Sequence, residues 1–185
     1  MTRGRFIGVV GPSGAGKDSL IDAARRHFGE HGPVRFVTRA ITRSQDAGGE
    51  AHEALSEAEF QARAAAGGFT LHWQAHGLSY GIPIDIEETL ALGRSVLVNL
   101  SRSVIDDIRT RFPNRLILVV TASPDILAQR LSVRGRESAA DIEARLRRAP
   151  PLFPHGPDVV TIQNNGSLAD AEAAFIAALN QRASP

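Results

Sequence analysis

Cysteine is absent from the 185 residues, which removes disulfides and thiolate metal sites. No apolar run approaches the ~20 residues that span a bilayer, so no membrane partner is expected. The formal net charge of +1 gives no reason to expect nucleic acid as the main partner. The chain enters its first strand almost at once, leaving no room for a signal peptide, and a cytoplasmic protein is expected. The most informative scarcity is lysine. Of 21 cationic side chains 20 are arginine, and the one lysine is Lys17.

Lys17 stands in Gly11-Pro12-Ser13-Gly14-Ala15-Gly16-Lys17-Asp18, followed by Ser19. A slim, flexible ammonium at this place reaches over a Gly-rich loop onto terminal phosphates, which a forked guanidinium does poorly. Phe6-Ile7-Gly8-Val9-Val10 reads as a short buried strand, and Lys17 to Phe28 as a helix with Leu20, Ile21, Ala24 and Phe28 on its apolar side. In that order the backbone N–H groups of residues 13 to 17 form a nest at the positive end of a helix dipole, where a polyphosphate such as ATP binds. Asp18 departs from the phosphate-loop pattern, in which Ser or Thr normally places a hydroxyl on Mg²⁺. Two readings of Asp18 stand side by side: a carboxylate that holds Mg²⁺, directly or through water, and an acidic residue in a first helical turn, favourable to the dipole by roughly 0.3–1 kcal/mol.

With 43% hydrophobic content and no linker or low-complexity run, the chain suits one α/β domain burying ~70% of its unfolded surface. Strands are expected near 34–38, 69–75, 95–100, 115–121 and 158–163. Helices are expected near 56–66, 83–92, 101–111, 124–134, 139–149 and 167–181. The continuous apolar runs at 96–98 and 116–120 are of the kind buried on both faces of a parallel sheet. Ser56-x-x-Glu59 reads as a capping box, and Ser167 with Asp170 as another opening the last helix. Residues 38–82 are weaker in period and richer in Gly and His, so a substrate-binding insert is expected there. The core then comprises 1–37, 83–134 and 150–185, with an arginine-rich helical lid at 135–149.

Taken together, the loop at 11–17, Ile-Thr-Arg at 41–43, Leu-Ser-Glu-Ala-Glu-Phe at 55–60, His-Gly-Leu-Ser-Tyr-Gly at 76–81 and Arg-Leu-Ser-Val-Arg-Gly-Arg-Glu at 130–137 resemble the guanylate kinase group. Within it, Gly-Lys-Asp-Ser at 16–19, Glu50-Ala51-His52, Val98-Asn99 and Asn164-Asn165-Gly166-Ser167-Leu168 are similar to the ribose 1,5-bisphosphate phosphokinases. The resemblance implies a P-loop NTPase fold with a parallel central sheet flanked by helices. It also implies ATP-dependent conversion of ribose 1,5-bisphosphate into 5-phosphoribosyl 1-diphosphate, serving phosphonate breakdown.

Guanine needs acceptors for its N1–H and amino group and donors for O6. Where the resemblance expects those partners, the chain has Asp46 for a second arginine, His52 for a tyrosine, Thr70-Leu71-His72 near an expected glutamate, and Val98-Asn99-Leu100 for paired acids. A pocket lacking such partners loses discrimination by several powers of ten. A phosphorylated sugar asks instead for phosphate donors and hydroxyl partners, which Arg39, Arg43, His52, His76, Ser79 and Tyr80 supply. His52, His72 and His76 also read as ordinary loop histidines. The four-residue spacing of His72 and His76 suggests zinc only on a helix, against which the flanking glycines argue.

Arg130 and Arg134 are expected on the face of the 124–134 helix opposite Ile126, Leu127 and Leu131. Beyond Gly135, Arg136, Arg145, Arg147 and Arg148 complete a lid that can close on ATP, or a basic solvated helix pair balanced by Glu137, Asp141 and Glu143. By the family motif Arg134 contacts the adenine side and Arg145 the phosphates; Lys17, Arg134 and Arg145 form the expected catalytic set. Three classes stay open: a ribose bisphosphate kinase, a nucleoside monophosphate kinase with an altered base pocket, and a non-catalytic interaction module.

Overall fold

The computed structural model describes residues 3–44, 50–134 and 153–183; of Arg134 and residues 181–183 it describes the helical backbone alone. The expected lid at 135–149, with Arg136, Arg145, Arg147 and Arg148, and the departure at Asp46 lie outside the described residues.

Five strands form a wholly parallel sheet: β1 (Phe6–Val10), β2 (Val34–Phe36), β7 (Ser95–Asn99), β8 (Arg115–Thr121) and β9 (Val159–Gln163), in the order β2-β7-β1-β8-β9. Strands buried on both faces alternate which core they serve. From β1, Ile7 and Val9 face one side with Leu97, Leu116, Leu118 and Val120, packing on α1 (Lys17–Phe28) and α6 (Leu168–Ala183) through Leu20, Ala24 and Phe175. Phe6 and Val10 face the other side with Val96, Val98, Ile117 and Val119, covered by α3 (Ile86–Ala91) and α4 (Ile105–Arg111). The Phe6 and Phe112 rings stack there with centroids 4.3 Å apart, a contact worth about 0.5–1.5 kcal/mol beyond area burial. At Gly8 space is short: a Cβ would lie 2.6 Å from the Leu100 side chain, which would have to shift.

A second, four-stranded sheet lies between β2 and α3 in the chain, in the order β4-β3-β6-β5: β3 (Ala40–Ile41), β4 (Glu53–Ala54), β5 (Phe69–Ala75) and β6 (Leu78–Pro83). β5 and β6 form a hairpin whose two turn residues, His76 (φ 52°) and Gly77 (φ 73°), are both left-handed, as a type I′ turn needs. Helix α2 (Glu57–Ala65) packs Phe60 against Phe69 and opens with the Ser56–Glu59 capping box. Strands β3, β4 and β6 are elements that periodicity did not reveal, because pairs of residues are too short to show alternation and Gly81 interrupts β6. The expected 101–111 helix begins as a 3₁₀ turn at Arg102–Val104 before α4. Helix α5 spans Pro124–Arg134. Among the described residues no helix is long and apolar enough to cross a membrane.

Candidate functional site

The phosphate loop leaves the C-terminal end of β1, the edge at which open parallel sheets bind ligands. Gly14 (φ 85°) and Gly16 (φ 92°) hold left-handed backbone, and Gly16 is the residue from which α1 starts. At Gly16 space is also short, because a Cβ would stand 2.5 Å from Asn164 Nδ2. Asn164 is 1% exposed and braces the loop from β9: its amide donates to the Ala15 carbonyl at 2.8 Å, and its Oδ1 accepts from Arg130 Nη2 at 3.4 Å. Arg130 therefore turns back onto the loop's support, whereas the helix pattern had set it outward beside Arg134. Its Nη1 is buried and without a hydrogen-bond partner.

Lys17 folds back over the loop, Nζ donating to the carbonyls of Gly11 at 2.8 Å and Pro12 at 3.2 Å. An ammonium resting on neutral carbonyls exchanges them readily for the stronger charge-assisted bonds of a phosphate. Asp18, one residue on, accepts from Asn99 Nδ2 at 3.3 Å.

Asn99 ends β7 and also donates to Glu50 Oε2. Glu50 Oε1 in turn accepts from Arg39, from Nε at 3.0 Å and from Nη2 in a short ion pair. The guanidinium of Arg39 lies over the Trp73 and Tyr80 rings, 5.6 and 5.1 Å from their centroids. Those two rings are themselves parallel at 5.4 Å. A continuous polar line, Asp18–Asn99–Glu50–Arg39, thus joins the phosphate loop to the second sheet. Arg39 is 8% exposed and spends Nε and Nη2 on Glu50, so it holds the carboxylate in place.

His52, also 8% exposed, has both ring nitrogens engaged. Nε2 donates to the Arg43 carbonyl at 3.0 Å, while Nδ1 lies 3.0 Å from the Glu50 carbonyl and 3.2 Å from Arg43 Nη2. With Nε2 protonated, Nδ1 accepts from Arg43 and aims its guanidinium. His52 therefore anchors Arg43 in this arrangement. Arg43 keeps a buried Nε without a partner, a donor poised for an anion. Ser79 Oγ is turned to Glu57, 3.3 Å from both carboxylate oxygens, and Ser79 N–H donates to Thr42 Oγ1 at 2.8 Å. His76 is exposed at the hairpin turn, and its four-residue step from His72 runs along a strand. Two shallow clefts meet at Glu57 and Gly77, one lined also by His76 and Ser79, the other by Arg43 and Ser44.

Glu50, Asn99, Trp73 and Asn164 had no assigned role in the sequence reading. Glu50, Asn99 and Asn164 stand inside the stretches that carry the resemblance, and Trp73 is the chain's one tryptophan; those were the signals available. For Mg²⁺ the donor chemistry is suitable. Asp18 offers a hard carboxylate oxygen beside the loop. Among the described residues no cluster of three or more His, Asp or Glu gathers. Mg²⁺ takes one or two carboxylates and completes its shell with water and phosphate.

Comparison with known proteins identifies the family of the chain. The guanylate kinase family model matches residues 3–180. The chain is 46% identical to the ribose 1,5-bisphosphate phosphokinase PhnN of Brucella melitensis, over 97% of this chain and 93% of the relative. It is 49% identical to the protein of the same name from Pseudomonas fluorescens, over 90% of each. The crystal structure of guanylate kinase from Anaplasma phagocytophilum superposes with a TM-score of 0.67 at 15% identity, covering 100% of this chain and 89% of that one, which establishes a shared fold. The chain belongs to the guanylate kinase family, and within it to the group formed by the ribose 1,5-bisphosphate phosphokinases.

Proposed function

We propose that this chain is an ATP-dependent kinase that phosphorylates ribose 1,5-bisphosphate to 5-phosphoribosyl 1-diphosphate, a cytoplasmic step of phosphonate breakdown. The observation that carries the reading is the near-full-length likeness to relatives bearing that activity in their name. Pocket chemistry supports it: Asn99, where guanine recognition would want an acid, is bonded to two carboxylates and is not offered to a base.

An oxygen of the 1-phosphate forms the new bond to the γ-phosphorus of ATP as the bond to the β,γ-bridging oxygen breaks, and ADP departs with that electron pair. The attacking oxygen is anionic at neutral pH, so the enzyme needs no strong base. What it supplies is alignment and charge. Lys17 leaves the Gly11 and Pro12 carbonyls for the β- and γ-phosphates, the loop N–H groups cradle the same oxygens, and Arg43, aimed by His52, holds an acceptor phosphate. Tyr80 lines the same side through its contact with Arg39. Asp18 would hold Mg²⁺, and the chemistry supplied there is neutralisation of charge across the β- and γ-phosphates. Arg134 and Arg145 are assigned to ATP by the family motif alone.

The test is ADP release from ATP and Mg²⁺ with ribose 1,5-bisphosphate and GMP offered separately, the product identified by mass spectrometry. Turnover of the sugar alone is expected. Turnover of GMP alone would overturn the reading.

A further inference from the structure

We infer that Glu50 is a specificity-determining residue: its carboxylate accepts a hydrogen bond from a ring hydroxyl of the pentose and sets a preference for ribose over deoxyribose in the acceptor. The inference rests on the proposed reaction.

Placement is the first argument. Glu50 Oε2 is bonded to Asn99 at the C-terminal end of β7, and the same amide reaches Asp18 at the head of α1. An acceptor lying between the phosphate loop and Arg43 passes this oxygen, because the Glu50 backbone lies against the His52 ring that aims Arg43, its carbonyl 3.0 Å from Nδ1. The Glu50 side chain is 17% exposed, so part of it remains open to solvent.

Charge is the second. A bare carboxylate would repel a sugar carrying two phosphates. Here Arg39, whose side chain is 9% exposed, pairs with Glu50, so the pair adds no net charge to the crevice. The carboxylate remains an acceptor all the same. An ionised carboxylate has about four acceptor positions. Arg39 Nε and Nη2 take two on Oε1 and Asn99 takes one on Oε2, which leaves one on the oxygen nearer the loop.

Chemical need is the third. Arginine and lysine donate only, so the cations that bind phosphate cannot accept from a hydroxyl. In the line that joins the loop to the second sheet the carboxylates are Asp18 and Glu50. Asp18 is placed for the metal, and Glu50 is placed for the sugar.

The experiment measures kcat/KM for ribose 1,5-bisphosphate and for its 2-deoxy and 3-deoxy analogues, with the unmodified enzyme and with Glu50→Gln. Gln keeps an oxygen for Arg39 but presents N–H groups where the free acceptor stood. For the unmodified enzyme, loss of the recognised hydroxyl should lower kcat/KM by roughly 10- to 100-fold. In Glu50→Gln that ratio should fall towards 1, whatever the absolute rates. A merely structural role would lower all three substrates by one factor and leave the ratio unchanged, which would overturn the inference. Glu50→Asp, which withdraws the carboxylate by one methylene, gives the same readout if the glutamine variant does not fold. If the unmodified enzyme uses both deoxy analogues as well as ribose 1,5-bisphosphate, the inference fails while the proposed function stands. If it uses none of the three, the proposed function fails and takes the inference with it.

Discussion

The side-chain amide of Asn99 donates to two carboxylates far from it in the chain, Asp18 at 3.3 Å across 81 positions and Glu50 across 49. One neutral donor thereby bridges two like charges. An aspartate at this position would be a third carboxylate among the two.

Asn99→Asp should therefore be less stable than the unmodified protein by roughly 1–3 kcal/mol at pH 8, the cost of replacing a satisfied donor by a repelling acceptor. At pH 5 the deficit should shrink, because a proton taken up by the crowded group restores a donor. Thermal unfolding of both proteins at the two pH values measures it; equal deficits would contradict the account.

Lys17→Ala should lower turnover by roughly 100- to 1000-fold under saturating ATP with little change in Tm, since in the structure Nζ bonds to carbonyls of its own loop. Lys17→Arg should not restore it, because the planar fork cannot follow the same path over the glycines. Near-normal turnover of either variant would remove Lys17 from the chemistry.

Asn164 braces the phosphate loop from behind. Asn164→Ala leaves the Ala15 carbonyl without its buried donor and should cost about 1–3 kcal/mol of stability, raising KM for ATP more than KM for the acceptor. Gly16→Ala meets the same amide from the other side, with a 2.5 Å approach and a φ of 92°, and should lose both stability and ATP binding. ATP titration of the folded variants checks both.

Acid stability should centre on Asp158, which receives Arg109 Nε at 3.1 Å and Arg115 Nε at 2.7 Å. Burial works to raise its pKa, but the bonds from the two arginines prevail and hold the carboxyl at about 2, below the ordinary 3.8. A depressed pKa gives stability that is complete above the unfolded value and is lost as pH falls through the folded one. Asp158→Asn should thus be about 2 kcal/mol less stable at neutral pH. The gap should close between pH 4 and 2 in a pH series of denaturant unfolding curves.

What the chain determines locally was legible in its order of residues. The phosphate loop follows from glycines at fixed spacing after an apolar run, the strands of the central sheet from continuous apolar residues, and the starts of α2 and α6 from a serine hydroxyl three residues before an acid. Such features need only neighbours within a turn or a strand. Strands β3 and β4, two residues each, carry no period of their own and exist because β6 supplies partners across a fold that the local pattern does not encode. The same limit applied to the site. Lys17 stood out by composition, and Arg43 and Tyr80 by motif, but whether an arginine meets a phosphate or a glutamate depends on which side chain arrives opposite it. Only the packing of the second sheet on the core decided that Arg39 pairs with Glu50, that His52 aims Arg43, and that Asn99 separates two carboxylates. Residues dozens of positions apart converge through the summed geometry of every intervening element, and no short window of sequence contains that sum.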